Sequence, residues 1–263
     1  MRKLIVIKLG GSIIDRKDSA ILGILELIQQ GWSVVIVHGG GKLVTQWMNN
    51  QGIDTQFYQG ERITDKQSLE VVIAVLAGLA NKETTAAFCA AGVNAVGLSG
   101  VDGALIQGSP RDNQLGYVGK IEKVNSVVLE TLLQAGFVPI ISPIGLNTAS
   151  EKESDPLLLN INGDTVAGEI AAEMKAALLL FLTDVNGVQD ASGNVINHLD
   201  VKKVDEIVLS KVAQGGMIPK LKACERAAQA NVVCRIVDGR KPQAVLSAVN
   251  NRNTGSTISA SGR

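Results

Sequence analysis

A lysine near the start of the chain stands where α/β proteins often bind their ligands. Lys8 follows the apolar run Leu4-Ile5-Val6-Ile7, and the glycine pair Gly10-Gly11 comes shortly after it. A continuous apolar run without alternation predicts a buried strand of a parallel sheet, and such sheets bind ligands at the carboxyl ends of their strands. Glycines there let backbone N–H groups approach a bound group. Lys8 is therefore a candidate phosphate-binding residue, with a solvated lysine at an ordinary strand end as the alternative.

Three consecutive glycines form a second candidate site. His38-Gly39-Gly40-Gly41 separates a predicted strand, 33–37, from a predicted helix, 43–50. The glycines free several backbone N–H groups, and the helix adds a positive potential, so this turn suits a carboxylate or a phosphate. It matches neither the G-x-x-x-x-G-K-[ST] loop nor the G-x-G-x-x-G fingerprint. A tight turn without a ligand is the alternative, and His38 is expected to be a structural hydrogen-bonding residue.

Two polar segments farther along the chain carry further candidates. Arg62 lies in a predicted polar loop, 60–65, where it is either solvated or a bidentate clamp on a substrate carboxylate. Asn160, Asn162 and Asp164 alternate directly before a predicted helix, so their side chains should point the same way. Asp164 is then either the N-cap of that helix or an acid that holds lysine ammonium groups in place.

The last third of the chain offers a turn and a lysine. Thr183-Asp184-Val185-Asn186-Gly187 follows the apolar run 178–182, and it is either a nucleotide-binding loop or a plain Asn-Gly turn. Lys220 begins a predicted helix, 220–230. A cation is disfavoured at a helix N-terminus by the helix dipole, so the position of Lys220 indicates an anionic partner.

Composition excludes several classes of function. The 263 residues have a formal net charge of zero and only 3% aromatic residues, which argues against a nucleic-acid or anionic-membrane surface. Three scattered cysteines indicate thiols in a reducing compartment, and two histidines argue against a histidine-based metal centre. No segment is expected to span a membrane, and the opening residues lack a signal-peptide pattern. We therefore expect a cytoplasmic protein.

The order of the predicted elements indicates the fold class. Strands and helices alternate from the first residues onward, which predicts a parallel sheet with right-handed crossovers. A hairpin excursion is expected at 104–125, and a terminal strand near 255–259. We predict two lobes that share one continuous sheet, residues 1–175 and 176–263.

Seven segments in register resemble the amino acid kinase family. Within that family the pattern is most similar to the enzymes that phosphorylate N-acetyl-L-glutamate on its side-chain carboxylate, in arginine biosynthesis. The matching segments, which span nearly the whole chain, are Lys8-Leu9-Gly10-Gly11, His38-Gly39-Gly40-Gly41, Gly60-Glu61-Arg62-Ile63-Thr64, Gly116-Tyr117-Val118-Gly119, Asn160-Ile161-Asn162-Gly163-Asp164, Thr183-Asp184-Val185-Asn186-Gly187 and Gly216-Met217-Ile218-Pro219-Lys220. Gly163 is a departure, since alanine is the more usual residue there.

The resemblance implies a fold, a cosubstrate and roles for particular residues. The fold is an α/β, three-layer αβα sandwich with an open, mainly parallel central sheet. Its N-terminal lobe binds the amino acid and forms the dimer interface, and its C-terminal lobe binds ATP with Mg²⁺ carried on the nucleotide. The implied catalytic residues are Lys8, Lys220 and Asp164; the implied substrate-binding residues are Gly40, Gly41, Arg62 and Asn160; the implied nucleotide-binding residues are Gly10, Gly11, Thr183, Asp184, Asn186, Gly187 and Val188.

The resemblance also leaves alternatives open. The chain begins on its first strand, so the expected type is the arginine-insensitive homodimer; binding of a PII-type signalling protein has no support in the sequence. The nearest rival is the related kinase that acts on carrier-protein-bound α-aminoadipate or glutamate, against which Gly60-Glu61-Arg62 argues. Aspartate, uridylate, carbamate and isopentenyl phosphate kinases fit the residues near Arg62 and Asn160 less well. A non-catalytic amino-acid-sensing protein is the alternative from another class.

Overall fold

The computed structural model describes residues 3–11, 18–58, 60–150, 155–210, 212–241, 243–250 and 254–260. The chain divides into two compact units, the first made of Met1–Ile36 with Ala167–Arg263 and the second of Val37–Val166. The predicted lobe boundary, after residue 175, lies close to the point between Val166 and Ala167 where the chain returns to the first unit. The opening strand and helix, which we placed in the N-terminal lobe, belong instead to the unit that contains the C-terminal third.

The strands of the described ranges, numbered along the chain, are β1 (Leu4–Leu9), β2 (Ser33–His38), β3 (Phe57–Tyr58), β4 (Glu61–Arg62), β5 (Ala95–Ser99), β6 (Ile106–Pro110), β7 (Gly119–Val124), β8 (Val138–Ser142), β9 (Ile144–Asn147), β10 (Leu158–Asn160), β11 (Leu178–Thr183), β12 (His198–Asp200), β13 (Val233–Asp238) and β14 (Ser256–Ser259).

The α-helices of the same ranges are α1 (Asp18–Gln29), α2 (Gly41–Asn50), α3 (Lys66–Ile73), α4 (Asn81–Ala90), α5 (Val127–Gln134), α6 (Gly163–Glu173), α7 (Val204–Leu209), α8 (Met217–Gln229) and α9 (Ala244–Val249). A π-helical segment, Ala74–Ala80, joins α3 to α4.

The first unit is built on a sheet whose strands follow the order β12-β14-β13-β11-β1-β2. Strand β11 is parallel to both β1 and β13, and its residues Leu178–Leu182 are almost wholly inaccessible to solvent. Burial on both faces explains why these strands are continuous apolar runs. Strand β14 is antiparallel to β13 and parallel to β12, so the sheet is mostly and not entirely parallel.

Helices of the first unit pack closely through glycines. A Cβ at Gly23 of α1 would lie 2.9 Å from Cβ of Val245 in α9, and a Cβ at Gly168 of α6 would lie 2.9 Å from Cβ of Ala223 in α8. Only glycine allows backbones to approach this closely. Helix α9 in turn contacts β11 and β13, and α8 contacts the same two strands.

The second unit contains the parallel pair β5 and β8, the mixed sheet β10-β9-β6-β7 and the hairpin β3-β4. One core cluster packs α2 against α3 and the π-helical segment, through Val44, Met48, Val72, Val75 and Leu76. By length and apolar composition alone, the helix Lys66–Ala90 could cross a membrane, contrary to our expectation that no segment could. Its contacts within the unit are those of a core helix, since Leu69, Val72 and Phe88 are buried there.

The predicted fold class is confirmed: the protein is α/β, with a large, mostly parallel central sheet and helices packed against it. The predicted loop at 60–65 is wrong, because Glu61 and Arg62 form β4 of a short hairpin. Strands β9, β10 and β12 were not predicted, since runs of three or four residues are too short to show a periodicity.

Candidate active site

The glycine turn of the second unit leads into a helix whose first N–H groups have no partner within the helix itself. Strand β2 ends at His38, Gly40 is the N-cap residue of α2, and no side chain of the described ranges caps that helix. Gly40 has φ 149°, and a Cβ there would lie 2.7 Å from Cδ2 of Leu76, so the position requires glycine. The N–H groups of the first turn of α2 are consequently open to a bound anion. This is the geometry that the sequence predicted for Gly40 and Gly41.

Arg62 is buried against the same turn, with 8% of its surface exposed. Its Nη2 donates to the carbonyl oxygen of Gly41 at 3.1 Å and to Oγ1 of Thr45 at 2.7 Å, and its Nη1 lies 3.3 Å from Sδ of Met48. The guanidinium carbon lies 5.1 Å from the ring centre of Phe57, which is a cation–π contact. The alternative of a solvated loop arginine is therefore wrong.

Arg62 has no acidic partner in the part of the chain that the structure describes: every acceptor of its guanidinium there is neutral. Burial lowers the pKa of Arg62 from its usual value, because desolvation penalises the charged form. An arginine remains protonated even so. The position thus holds a positive charge without a counter-charge among the described residues, and its Nη2 is already used by Gly41 and Thr45. Such a charge suits an anionic ligand such as a carboxylate.

Three of the family-like segments meet around Thr64, whose side chain is completely buried. Its Oγ1 accepts a hydrogen bond from Nδ2 of Asn160 at 3.0 Å and donates to the carbonyl oxygen of Arg62 at 2.9 Å. Its backbone pairs with Leu115 and Tyr117 on either side of Gly116. A Cβ at Gly116 would lie 2.4 Å from the carbonyl oxygen of Thr64, which explains the glycine. Sequence reasoning did not single out Thr64, although it lies in a matched segment.

Asn162, and not Asp164, caps helix α6. Oδ1 of Asn162 accepts from the backbone N–H groups of Asp164 at 2.8 Å and of Thr165 at 3.3 Å, which is the N-cap arrangement. The N-cap interpretation of Asp164 is therefore wrong. Asp164 lies in the first turn of the helix with 5% of its surface exposed, and its side chain takes no part in this cap.

Lys8 and the glycine pair lie in the first unit. Lys8 stands opposite Phe181 in the parallel register of β1 with β11, one residue before β1 ends, and 8% of its surface is exposed. A buried lysine near the carboxyl end of a central strand is not the solvated residue of the alternative interpretation. The N–H of Gly10 donates to the carbonyl oxygen of Leu182 at 3.0 Å, so this group extends the sheet and is not free for a ligand.

The turn after β11 separates into an exposed and a buried part. Asp184 and Asn186 are exposed, and Oγ1 of Thr183 donates to Oδ1 of Asp184 at 3.3 Å. Gly187 has φ 149°, and a Cβ there would lie 2.6 Å from Oγ of Ser256. The turn is therefore packed against β14, which a plain Asn-Gly turn does not require. The N–H of Val188 donates to that same Oγ at 2.8 Å. This N–H group is therefore used within the protein and is not a donor to a ligand.

Sequence reasoning missed two charged residues beside this turn. Asp238 ends β13, and its carboxylate accepts three hydrogen bonds from Arg240, at 2.8 Å from Nε, 2.9 Å from Nη2 and 3.1 Å from the backbone N–H. These bonds lower the pKa of Asp238, and the charge of Asp184 also acts on Arg240. Gly239 N–H donates to the carbonyl oxygen of Thr183. The available signal was that Asp238, like Thr183, follows an apolar run that predicts a buried strand, and ligands bind at the carboxyl ends of such strands.

Lys220 lies in the first turn of α8, which begins at Met217 and not at residue 220 as predicted. Pro219 is tolerated there, because the N–H groups of a first helical turn have no helical partner to lose. Nζ of Lys220 donates to the carbonyl oxygen of Gly216 at 3.0 Å. The cation therefore does lie at a helix N-terminus, where the dipole opposes it.

Comparisons with known proteins agree with this picture. The model of the amino acid kinase family matches residues 3–238. The chain is 42% identical to an acetylglutamate kinase of Dehalococcoides mccartyi strain BAV1 over 97% of this chain and 94% of that protein. It is 42% identical to that of Ruegeria sp. strain TM1040, over 92% and 84%.

Among solved structures, smu.665 from Streptococcus mutans UA159 superposes with a TM-score of 0.85 at 28% identity, over 99% of this chain and 100% of that one. The family model covers most of the chain, and the relatives match it nearly from end to end. The chain therefore belongs to the amino acid kinase family.

Proposed function

We propose that this kinase transfers the γ-phosphoryl group of ATP to the side-chain carboxylate of N-acetyl-L-glutamate, a step of arginine biosynthesis. The observation that carries the proposal is Arg62, a buried guanidinium beside an uncapped glycine turn with no acidic partner among the described residues. A buried positive charge of this kind favours an anionic ligand, and a carboxylate is one. The relatives at 38–42% identity bear the name acetylglutamate kinase, which supports this substrate.

The amino acid binds in the second unit. Arg62 binds its α-carboxylate through its positive charge and its Nε–H, and Gly40 and Gly41 offer backbone N–H groups at the start of α2. Nδ2 of Asn160 donates to Oγ1 of Thr64. The side-chain oxygen, Oδ1 of Asn160, then accepts a hydrogen bond from the amide N–H of the acetylated amino group. These contacts recognise a free acylated amino acid.

The nucleotide binds in the first unit. Its site is the carboxyl end of β1 and β11, with Gly10, Gly11 and the turn from Thr183 to Val188. The exposed side chains of Asp184 and Asn186 are suited to direct contacts, whereas Gly187 and Val188 shape the turn through Ser256. We therefore assign Val188 to the wall of the site and Gly10 to its floor.

The reaction needs little acid–base chemistry. A side-chain carboxylate is already ionised at neutral pH, so one of its oxygens attacks the γ-phosphorus directly while the bond from phosphorus to the β,γ-bridging oxygen breaks and ADP leaves. Catalysis then consists of positioning and of neutralising charge on the transferred group. Lys8 and Lys220 supply the positive charges, and Asp164 orients the two ammonium groups.

Mg²⁺ enters this scheme with ATP. Among the described residues, no group of three or more His, Cys, Asp or Glu side chains is arranged to hold a metal ion. In nucleotide complexes Mg²⁺ commonly binds through phosphate oxygens and water. Bound there, it would neutralise part of the phosphate charge.

The proposal is tested by trapping the acyl phosphate with hydroxylamine in assays with ATP and N-acetyl-L-glutamate. We expect Lys8→Ala and Lys220→Ala to reduce kcat by on the order of 100-fold or more with small changes in KM, because each removes charge stabilisation specific to the transition state. Lys123→Ala, which changes an exposed lysine of β7, is the control. Near-normal kcat in both variants would show that the catalytic assignment is wrong.

The same assay separates this function from its rivals. Turnover of free N-acetyl-L-glutamate, without turnover of carrier-protein-bound α-aminoadipate or glutamate, supports the proposal, and the reverse result contradicts it. A protein that binds the amino acid without forming hydroxamate would be a sensor. We further propose that the protein is a cytoplasmic homodimer with its interface in the lobe 1–175. Light scattering after gel filtration tests whether the protein is a dimer.

A further inference from the structure

The longest helical stretch of the second unit is interrupted where it passes the glycine turn. Its π-helical segment Ala74–Ala80 ends with the backbone N–H at Asn81 bonded to the carbonyl oxygen of Leu76, five residues earlier. Such inserts are rare in helices and are frequent at functional sites. Here the insert brings two residues to the turn: Leu76, whose Cδ2 fills the space that a Cβ at Gly40 would need, and Asn81.

Asn81 is completely buried and its carboxamide has a single orientation. Nδ2 lies 2.9 Å from the carbonyl oxygen of Ile140 and 3.1 Å from that of Leu98, and these oxygens accept only. Oδ1 accepts from Nζ of Lys82 at 3.1 Å. A Cβ at Gly97 would lie 2.3 Å from Oδ1 of Asn81, so β5 carries a glycine where the carboxamide packs on it.

The carboxamide fixes the protonation of His38, which is also completely buried. Nδ2 of Asn81 lies 3.2 Å from Nε2 of the imidazole and shares its two hydrogens among this nitrogen and the two carbonyl oxygens. Because Nδ2 can only donate, Nε2 faces a donor and carries a lone pair. Nδ1 lies 2.8 Å from the carbonyl oxygen of Gly39, so Nδ1 carries the proton. His38 is thus a neutral imidazole with one defined tautomer, connecting Asn81 to the first peptide group of the glycine turn.

We propose that His38 and Asn81 are positioning residues that hold the peptide of Gly39 so that the N–H groups of Gly40 and Gly41 face the amino-acid substrate. This inference rests on the proposed function of the turn. The hydrogen bond from Nδ1–H of His38 fixes the carbonyl of Gly39, and Leu76 packs against Gly40. The π-helical insert brings Leu76 and Asn81 to the same turn. The pair acts on substrate binding through the backbone and does not touch the transferred phosphoryl group.

Two substitutions of His38 separate positioning from packing. In His38→Asn the amide nitrogen replaces Nδ1 and keeps the donor to Gly39, whereas in His38→Gln the polar end of the side chain replaces Nε2 and that donor is lost. We expect His38→Gln to raise KM for N-acetyl-L-glutamate about tenfold or more, with KM for ATP within about twofold, and His38→Asn to stay within about threefold for both. A purely structural histidine would change thermal stability and leave this KM split absent.

The outcomes distinguish the two proposals. A wild-type protein that does not phosphorylate N-acetyl-L-glutamate overturns the proposed function. A wild-type protein that does so, with folded His38→Gln and His38→Asn variants of equal KM, overturns the positioning role alone. Circular dichroism of both variants establishes that they are folded.

A measurement on the unmodified protein covers the case in which His38→Gln does not fold. The chain has only two histidines, so the ¹⁵N imidazole spectrum contains His38 and, as an internal control, the exposed His198. We expect His38 to show a protonated Nδ1 and an unprotonated Nε2, and its Nδ1 resonance to shift when N-acetyl-L-glutamate binds but not when an ATP analogue binds. A proton on Nε2, or no shift with the amino acid, overturns the inference.

Discussion

At the scale of single residues, Arg62 combines burial with positive charge. Its neighbours Met48, Thr45 and Gly41 supply neutral acceptors, and the ring of Phe57 covers one face. Desolvation of a charge is costly unless a counter-charge compensates it, and the lowered pKa of Arg62 reflects that cost. A bound carboxylate would remove it. Binding and the stability of this part of the second unit are therefore coupled.

Arg62→Lys tests the shape of this site while its charge is kept. A lysine cannot form the paired hydrogen bonds of a guanidinium, so we expect KM for N-acetyl-L-glutamate to rise by on the order of 10- to 100-fold, with kcat less affected. Arg226→Lys, which changes the arginine of an exposed ion pair with Glu169, is the matched control. Equal effects of the two substitutions would contradict a carboxylate clamp at Arg62.

Sequence reasoning reached most of these residues and misjudged a few for local reasons. Lys8 was located because an uninterrupted apolar run identifies a central strand and hence its end. The cap of α6 was misassigned because Asn162 and Asp164 are both good N-cap residues, and only the backbone of Asp164 decides between them. Asp238 and Arg240 were overlooked because their neighbour, Thr183, is distant in sequence and adjacent only across β11 and β13.

At the scale of elements, α3 begins directly after the hairpin that carries Arg62. Oδ1 of Asp65 accepts from the backbone N–H of Ser68 at 2.7 Å, which caps the helix and connects its start to β4. The pKa of Asp65 is lowered, first by that backbone hydrogen bond and then by one with the hydroxyl of Ser68. The cap is thus strongest when the carboxylate is ionised.

Asp65→Ala should destabilise the protein by about 1 kcal/mol at pH 7. Because the folded pKa is lower than the unfolded one, the charge-dependent part is fully present above the unfolded pKa of about 4 and is lost as the pH falls through the folded value. Solvent screening keeps this part small, since Asp65 is exposed. Urea unfolding at pH 7 and pH 3 measures it, with Asp65→Asn as control; an undiminished difference at pH 3 would contradict the expectation.

Element length decided what the sequence could predict. Strand β11, Leu178–Thr183, was located because residues 178–182 form an uninterrupted apolar run after a predicted helix. The hairpin β3-β4 has two residues in each strand, and its pairing of Phe57 with Arg62 depends on the contacts of Arg62 with α2. The π-helical segment carries no sequence signal, since a single inserted residue hardly changes an apolar pattern.

At the scale of the whole molecule, the two units separate the two proposed ligands. The amino-acid residues Gly40, Gly41, Arg62 and Asn160 all lie in the second unit, and the nucleotide residues from Gly10 to Val188 all lie in the first. The division cuts β2 between Ile36 and Val37 and cuts α6 between Val166 and Ala167. A linear reading of the chain could not assign β1 to the C-terminal third, because that grouping arises from the pairing of β1 with β11.

Hydrogen exchange measured by mass spectrometry tests this separation. We expect N-acetyl-L-glutamate to slow exchange at β4 and at the start of α2, and a non-hydrolysable ATP analogue to slow exchange at 183–188, because bound ligand stabilises the local structure it contacts. Protection by the amino acid confined to 183–188 would be incompatible with the assignment. The Arg62→Lys variant should lose the first pattern and keep the second.

The position of β14 has a consequence for synthesis of the chain on the ribosome. Residues 256–259 are made after β12 and β13, yet they insert between these two strands and are paired on both sides. Until they emerge, β13 presents an open hydrogen-bonding edge that can recruit a strand from another nascent chain. A premature stop codon shortly before residue 256 would make that edge permanent, and the truncated product should accumulate in inclusion bodies.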